Sequence, residues 1–206
     1  MKKQTLILRH SLVKMIAPKL YEDFSSIPLG DHRPMIDTLS KMGKHNLVGV
    51  EIGVSRGNNA IKMLKTLDLK KLYLIDPYTS YVDGDTDSTV IDSSLLKICY
   101  EKTKKIFDKF NNVVFIIDYS YNVVNQIPIL DFVYIDGNHN YNDVKRDINL
   151  YWQKVKNGGM LGGHDFEGRY QGVVWAVTEF AREKHLKLYS NFRDWWFIKN
   201  DVCNYD

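Results

Sequence analysis

The sequence predicts an α/β three-layer sandwich: a seven-stranded, mostly parallel sheet with an antiparallel last strand, behind an N-terminal helical extension. Three observations predict it. Short runs rich in Val, Ile and Leu alternate with longer amphipathic stretches, as in strands buried on both faces by crossover helices. Several runs end in an acid or a glycine-rich turn, as at Ile52-Gly53, Ile75-Asp76, Ile135-Asp136 and Gly163-His164-Asp165. The last two runs are separated only by Ser190–Asp194, too short for a crossover helix, so they form an antiparallel hairpin.

Residues 1–45 read as the helical extension and 46–206 as the main domain. Asp31-His32-Arg33 is a polar break before Pro34; a helix cap at Asp31 is the simplest reading of it, and contact of Asp31 to Arg33 with cofactor or substrate is the other. Ile36, Leu39 and Met42 then recur at spacing three, which predicts a helix packing one face on the main domain. Strands are expected at Leu47–Ile52, Leu72–Ile75, Val113–Ile117, Phe132–Ile135, Met160–Gly163, Leu186–Tyr189 and Trp195–Lys199. Helices are expected near Asn58–Thr66, Ser88–Phe110, Tyr121–Gln126, Tyr141–Lys156 and Val173–Lys184. The stretch Thr79 to Thr89 reads as an acidic loop.

Composition narrows the function classes. A net charge of +3 with dispersed Lys and Arg argues against a nucleic-acid partner. Two cysteines, Cys99 and Cys203, make no disulfide framework and no metal-ligand spacing, which suits a reducing, cytoplasmic setting. The apolar start at Leu6-Ile7-Leu8 is cut by Arg9 and His10. No run approaches the ~20 apolar residues of a membrane span, so no membrane partner is expected. The terminal hairpin offers an edge strand, which leaves a homo-oligomer open.

The chemistry begins at Val48-Gly49-Val50-Glu51-Ile52-Gly53-Val54-Ser55-Arg56-Gly57, followed by a helix and then Leu72-Tyr73-Leu74-Ile75-Asp76. This Rossmann-like arrangement binds an adenosine-bearing cofactor at the carboxyl edge of a parallel sheet. A dinucleotide turn carries three glycines, so that backbone N–H groups reach the pyrophosphate. Here Gly53 and Gly57 stand four apart with Ser55 between them, and the turn starts at a carboxylate, Glu51. That carboxylate would repel a diphosphate. It suits the ammonium and sulfonium of S-adenosylmethionine, and Asp76 is placed to accept from both ribose hydroxyls. At the next strand end, Asp118-Tyr119-Ser120 is placed to meet the adenine, while Asp118 or Ser120 also suits a helix cap.

Two further strand ends carry reactive groups. Asp136-Gly137-Asn138-His139 closes the fourth strand and His164-Asp165 the fifth, and adjacent strands bring them to one edge. Asp136 and Asp165 offer oxygens to a hard divalent cation such as magnesium, leaving positions for acceptor hydroxyls. His164 suits manganese or zinc as a third ligand, or donates from behind the ligands. His139 has the ordinary pKa of a general base near neutral pH. Tyr78 and Tyr141 lie near motif ends, one of them a candidate for the acceptor pocket.

With all three blocks in this order, the sequence resembles the class I S-adenosylmethionine-dependent methyltransferases of the methyltransferase-24 family. It is similar also to the metal-dependent macrolide-sugar O-methyltransferases. The resemblance spans roughly Leu47 to Lys199. It implies an enzyme that methylates a hydroxyl of a small, sugar-like acceptor with divalent-metal assistance. It puts the metal-binding Asp on Asp136, the base on His139 and the fifth-strand acidic pair on His164 and Asp165, where this chain has His-Asp. The cofactor set becomes Glu51, Gly53, Ser55, Gly57, Asp76, Asp118, Tyr119 and Asp136. The competing readings are a metal-independent N-methyltransferase and a non-catalytic cofactor-binding subunit. A nicotinamide oxidoreductase is disfavoured by the missing third glycine.

Overall fold

The computed structural model describes residues 32–83, 89–91 and 93–200, and the Asp31 cap lies outside them. Contacts divide the chain into Met1–His32 and Arg33–Asp206. The second unit contains α1 (Pro34–Lys41), which the sequence had grouped with the extension. It continues with β1 (Leu47–Ile52), α2 (Asn58–Thr66), β2 (Leu69–Ile75), β3 (Tyr81–Asp83), β4 (Thr89–Ile91), α3 (Ser93–Phe107) and β5 (Val113–Ile116). Then follow α4 (Ser120–Val123), a 3-10 turn, β6 (Leu130–Ile135), α5 (Tyr141–Trp152), β7 (Val155–Gly163), α6 (Gln171–Glu183), β8 (Tyr189–Asn191) and β9 (Asp194–Ile198).

Seven strands form one sheet in the order β5-β2-β1-β6-β7-β9-β8. β5, β2, β1, β6 and β7 pair in parallel, and β9 runs antiparallel to both neighbours. The strand order reverses between β1 and β6, so the crevice at their carboxyl ends is where an open α/β sheet takes its ligand. At the expected acidic loop, β3 and β4 pair as a small antiparallel hairpin, and α3 starts at Ser93 rather than near Ser88.

Strand alternation divides the core in two. Val133 and Ile135 of β6 face α5 and α6 with Ile148, Tyr151, Val177 and Phe180. Phe132 and Tyr134, one residue out of phase, join Met35, Ile36 and Leu39 of α1 and Met63 of α2. Each such buried aliphatic side chain contributes roughly 1.5–3 kcal/mol. Met42, expected on the same face of α1, falls at its C-cap and is exposed. Trp195 and Trp196 are buried, and Trp175 is exposed. Among the described residues no helix is long and apolar enough to cross a membrane.

Pro34 at the start of α1 supplies a preset φ where no N–H is needed. The first turn is also tied to the sheet's far side: Met35 N donates to Oδ2 of Asp194, at the start of β9, at 3.0 Å. Close approach is possible because β7 carries Gly162 there. A Cβ on Gly162 would lie 2.1 Å from Trp195 O, 2.6 Å from Trp196 Cβ and 2.7 Å from Met35 Sδ. Gly162→Ala is therefore expected to cost about 2–3 kcal/mol through overpacking, seen as a lower urea midpoint at an unchanged slope.

Candidate active site

The loop Gly53–Gly57 forms the first wall. Gly53 (φ +84°) and Gly57 (φ +76°) take left-handed conformations, and a Cβ on Gly53 would meet Asp136 O at 2.2 Å. The backbone of this loop therefore lies directly on the β6 turn. Gly57 caps α2 and packs against Phe107. Ser55, also at positive φ, points its peptide inward. Its N–H donates to Asp76 Oδ2 at 2.9 Å, and its carbonyl accepts from Tyr78 Oη (2.7 Å) and Thr103 Oγ1 (2.9 Å).

Asp76 lies at this edge. Oδ2 accepts from Val54 N and Ser55 N, and Oδ1 from Tyr78 N at 2.8 Å. A carboxylate offers about four acceptor positions, so Asp76 retains room for a further donor. Its main work is to hold the glycine loop. Burial raises its pKa, and the three N–H donors pull it back. Tyr78 is buried beneath the loop and does not line an acceptor pocket. Tyr141 is tied to Glu179 and Lys145 across α5 and α6. Asp118 accepts from Tyr119 N and Asn122 Nδ2, each at 2.7 Å, while the helix that follows has Tyr119 at its N-cap and no side-chain cap bond, so the expected cap at Asp118 or Ser120 is not formed. Tyr119 stacks on Tyr121 and meets Thr79 Oγ1 through its hydroxyl at 3.0 Å, forming an exposed ring platform past β2 and β5.

Glu51 is 1% exposed. Oε1 accepts from Asn59 Nδ2 at 2.9 Å, and Oε2 has no hydrogen-bond partner among the described residues. Burial pushes its pKa up to about 8, the Asn59 bond opposes this, and the neighbouring Asp136 adds to it. A buried carboxylate left this way calls for a cationic or donor group.

The second wall is an imidazole-carboxylate cluster. Asp165 (φ +59°) stands between two histidines: Oδ2 lies 2.8 Å from His139 Nε2, and Oδ1 lies 3.0 Å from His164 Nδ1. Burial alone would raise its pKa, but the hydrogen bonds from His139 and His164 hold it well below the usual carboxylate range. Asp136 lies 4.0 Å from His164 Nδ1 and 3.6 Å from Arg33 Nη2. Burial pushes its pKa up to about 6, against the pull of Arg33 and His164. Ligand atoms of Asp136, His139 and Asp165 all lie within 4.8 Å of one another. This close set contains His139, not His164, which the sequence had grouped with the two acids.

Three contributors were not singled out from the sequence. Tyr170 stacks on His139 with ring centroids 4.2 Å apart. Asp194, fully buried, accepts from Tyr134 Oη at 2.7 Å and lies 4.0 Å from His164 Nε2. Arg33 was considered only within the segment Asp31 to Arg33, as a stretch that could touch cofactor or substrate, and not singled out. The signal for Asp194 was the hairpin itself: a strand running backwards puts its first residue at the carboxyl edge.

A family model described as a methyltransferase domain, that of the methyltransferase-24 family, matches residues 50–166, more than half of the chain. The chain belongs to that family. The methyltransferase is 31% identical over 162 residues to an uncharacterised protein of Acanthamoeba polyphaga mimivirus; the match covers 73% of this chain and 66% of the relative, just under two thirds. Its fold is similar to that of a Streptococcus mutans protein assigned as a methyltransferase and solved with SAH (S-adenosylhomocysteine). That match has TM-score 0.58 and 16% identity, covering 82% of this chain and 98% of the other. It is similar also to the O-methyltransferase NovP, with TM-score 0.55 and 15% identity over 80% and 79% of the two chains. Family and fold agree on a class I S-adenosylmethionine-dependent methyltransferase, and the orphaned oxygen of Glu51 fits a cofactor with a positively charged end.

Because the folded pKa of Glu51 exceeds the unfolded one, this group favours folding below about pH 4.5, and that contribution is lost as pH rises to about 8. Glu51→Gln is therefore expected to raise the stability of the ligand-free protein at pH 8 by on the order of 2 kcal/mol. The same change weakens SAH binding about tenfold or more. Thermal melts and calorimetry check the two effects, which have opposite signs.

Proposed function

We propose that the methyltransferase transfers the methyl group of S-adenosylmethionine to a hydroxyl oxygen of a small, sugar-like acceptor, with a divalent cation at the acceptor side. The observation that carries this is the convergence of Asp136, His139 and Asp165 beside the Glu51 turn, on adjacent strand ends. The resemblance to NovP, described as an O-methyltransferase, supports oxygen as the acceptor atom.

When bound, S-adenosylmethionine supplies a methyl carbon on a positively charged sulfur. Glu51 receives its cationic end, Asp76 keeps the loop closed, and the Tyr119 platform lies where a base can stack. Asp136 and Asp165 are the carboxylates that hold a cation, which when bound lowers the pKa of a coordinated hydroxyl. His139 takes the acceptor's proton. Asp165 orients its imidazole and stabilises the imidazolium that results, and the Tyr170 ring fixes the plane. Holding acceptor and cofactor in line supplies much of the rate.

A second reading has His139 as a metal ligand, since it belongs to the close set. His139→Ala separates the two. As a base, His139 is needed for turnover but not for Mn2+ or SAH binding, so turnover falls about 100-fold or more while both affinities persist. Joint loss of turnover and Mn2+ binding makes it a ligand. EDTA should abolish turnover of the wild type. Full activity in EDTA would reject the metal and favour metal-independent N-methylation, and SAH binding without transfer to any acceptor would favour a non-catalytic subunit.

A further inference from the structure

Arg33 stands immediately before α1 and is 8% exposed. Its Nη2 lies 3.6 Å from Asp136 Oδ2, and its charge also favours the ionised forms of Glu51 and Asp194. Its place is determined two residues along the chain. Met35 N is held by Asp194 Oδ2, whose other oxygen is held by Tyr134. Met35 is itself fully buried, its sulfur set against Gly162. The backbone that delivers Arg33 is thus anchored on β6, β7 and β9 together. A guanidinium cannot shed its proton at any accessible pH, so it cannot vacate Asp136 by losing charge. A divalent ion arriving at Asp136 meets a fixed positive charge on the same carboxylate, in a setting where water screens poorly.

We propose that Arg33 is a positioning residue of the transfer site, a resident counter-cation that competes with divalent metal for Asp136 and weakens metal loading of this edge. The proposal rests on the reading of Asp136 as a metal ligand. Without metal, Arg33 keeps the carboxylate charged and oriented toward the crevice. With metal, the ion must displace Arg33 or share Asp136 with it.

The test is Mn2+ binding by calorimetry and by electron paramagnetic resonance at pH 8. It compares the SAH-saturated wild type with Arg33→Gln, Arg33→Met and Arg33→Lys. The neutral variants are expected to bind Mn2+ at least about fivefold more tightly than the wild type. Arg33→Lys, which keeps the charge, should stay within about twofold of it. All variants should still bind SAH, which shows that each is folded. Equal or weaker Mn2+ binding in the neutral variants overturns the proposal, as does a Lys variant that matches them. Absence of Mn2+ binding in every protein overturns it as well. A wild type that fails to bind SAH removes the cofactor reading instead, and the Mn2+ series run without SAH still decides the role of Arg33.

Discussion

The arrangement depends on one constraint: five carboxylates, Glu51, Asp76, Asp136, Asp165 and Asp194, gather at one sheet edge with little access to water. Burying charge without compensation costs several kcal/mol per group. Each acid is compensated by different means. Backbone N–H groups serve Asp76, two imidazoles serve Asp165, and a phenol and a helix N–H serve Asp194. Arg33 stands by Asp136, while Glu51 has only one oxygen engaged. The two least compensated acids line the crevice between β1 and β6. In the proposed function, that imbalance is what the cationic end of the cofactor and a divalent ion would offset.

Much of this edge was legible in the sequence because chain order and strand direction alone put Glu51, Asp76, Asp136 and Asp165 there. The glycine turn also placed α2 correctly, since Asn58–Thr66 is found where the turn at Gly57 releases it. Less legible was what each oxygen already holds. Asp76 has the strand-end position of a ribose acceptor, and the three N–H groups that also reach it could not be read from the pattern. Their convergence depends on the curl of the loop at Gly53 and Ser55, a three-dimensional detail.

The choice between His139 and His164 had a similar origin. Adjacency in sequence suggested that His164 and Asp165 act together, and they do touch. The positive φ at Asp165 turns its carboxylate so that His139, from the neighbouring strand's loop, closes on its other oxygen. Tyr170 was invisible because nothing in the pattern tells a loop tyrosine over an imidazole from one in solvent. Arg33 was discounted because a polar residue before a helix reads as a boundary; its burial arises from the anchoring of α1, a contact spanning most of the chain.

The reversed direction of β9 has a consequence for assembly. Its opening residue, Asp194, grips both the earliest described helix and the fourth strand of the parallel set. Met35 and Asp194, 159 positions apart, must meet before Arg33 is set at the rim, so this edge forms only once a loop of great length has closed, the slowest kind of contact for a chain to make.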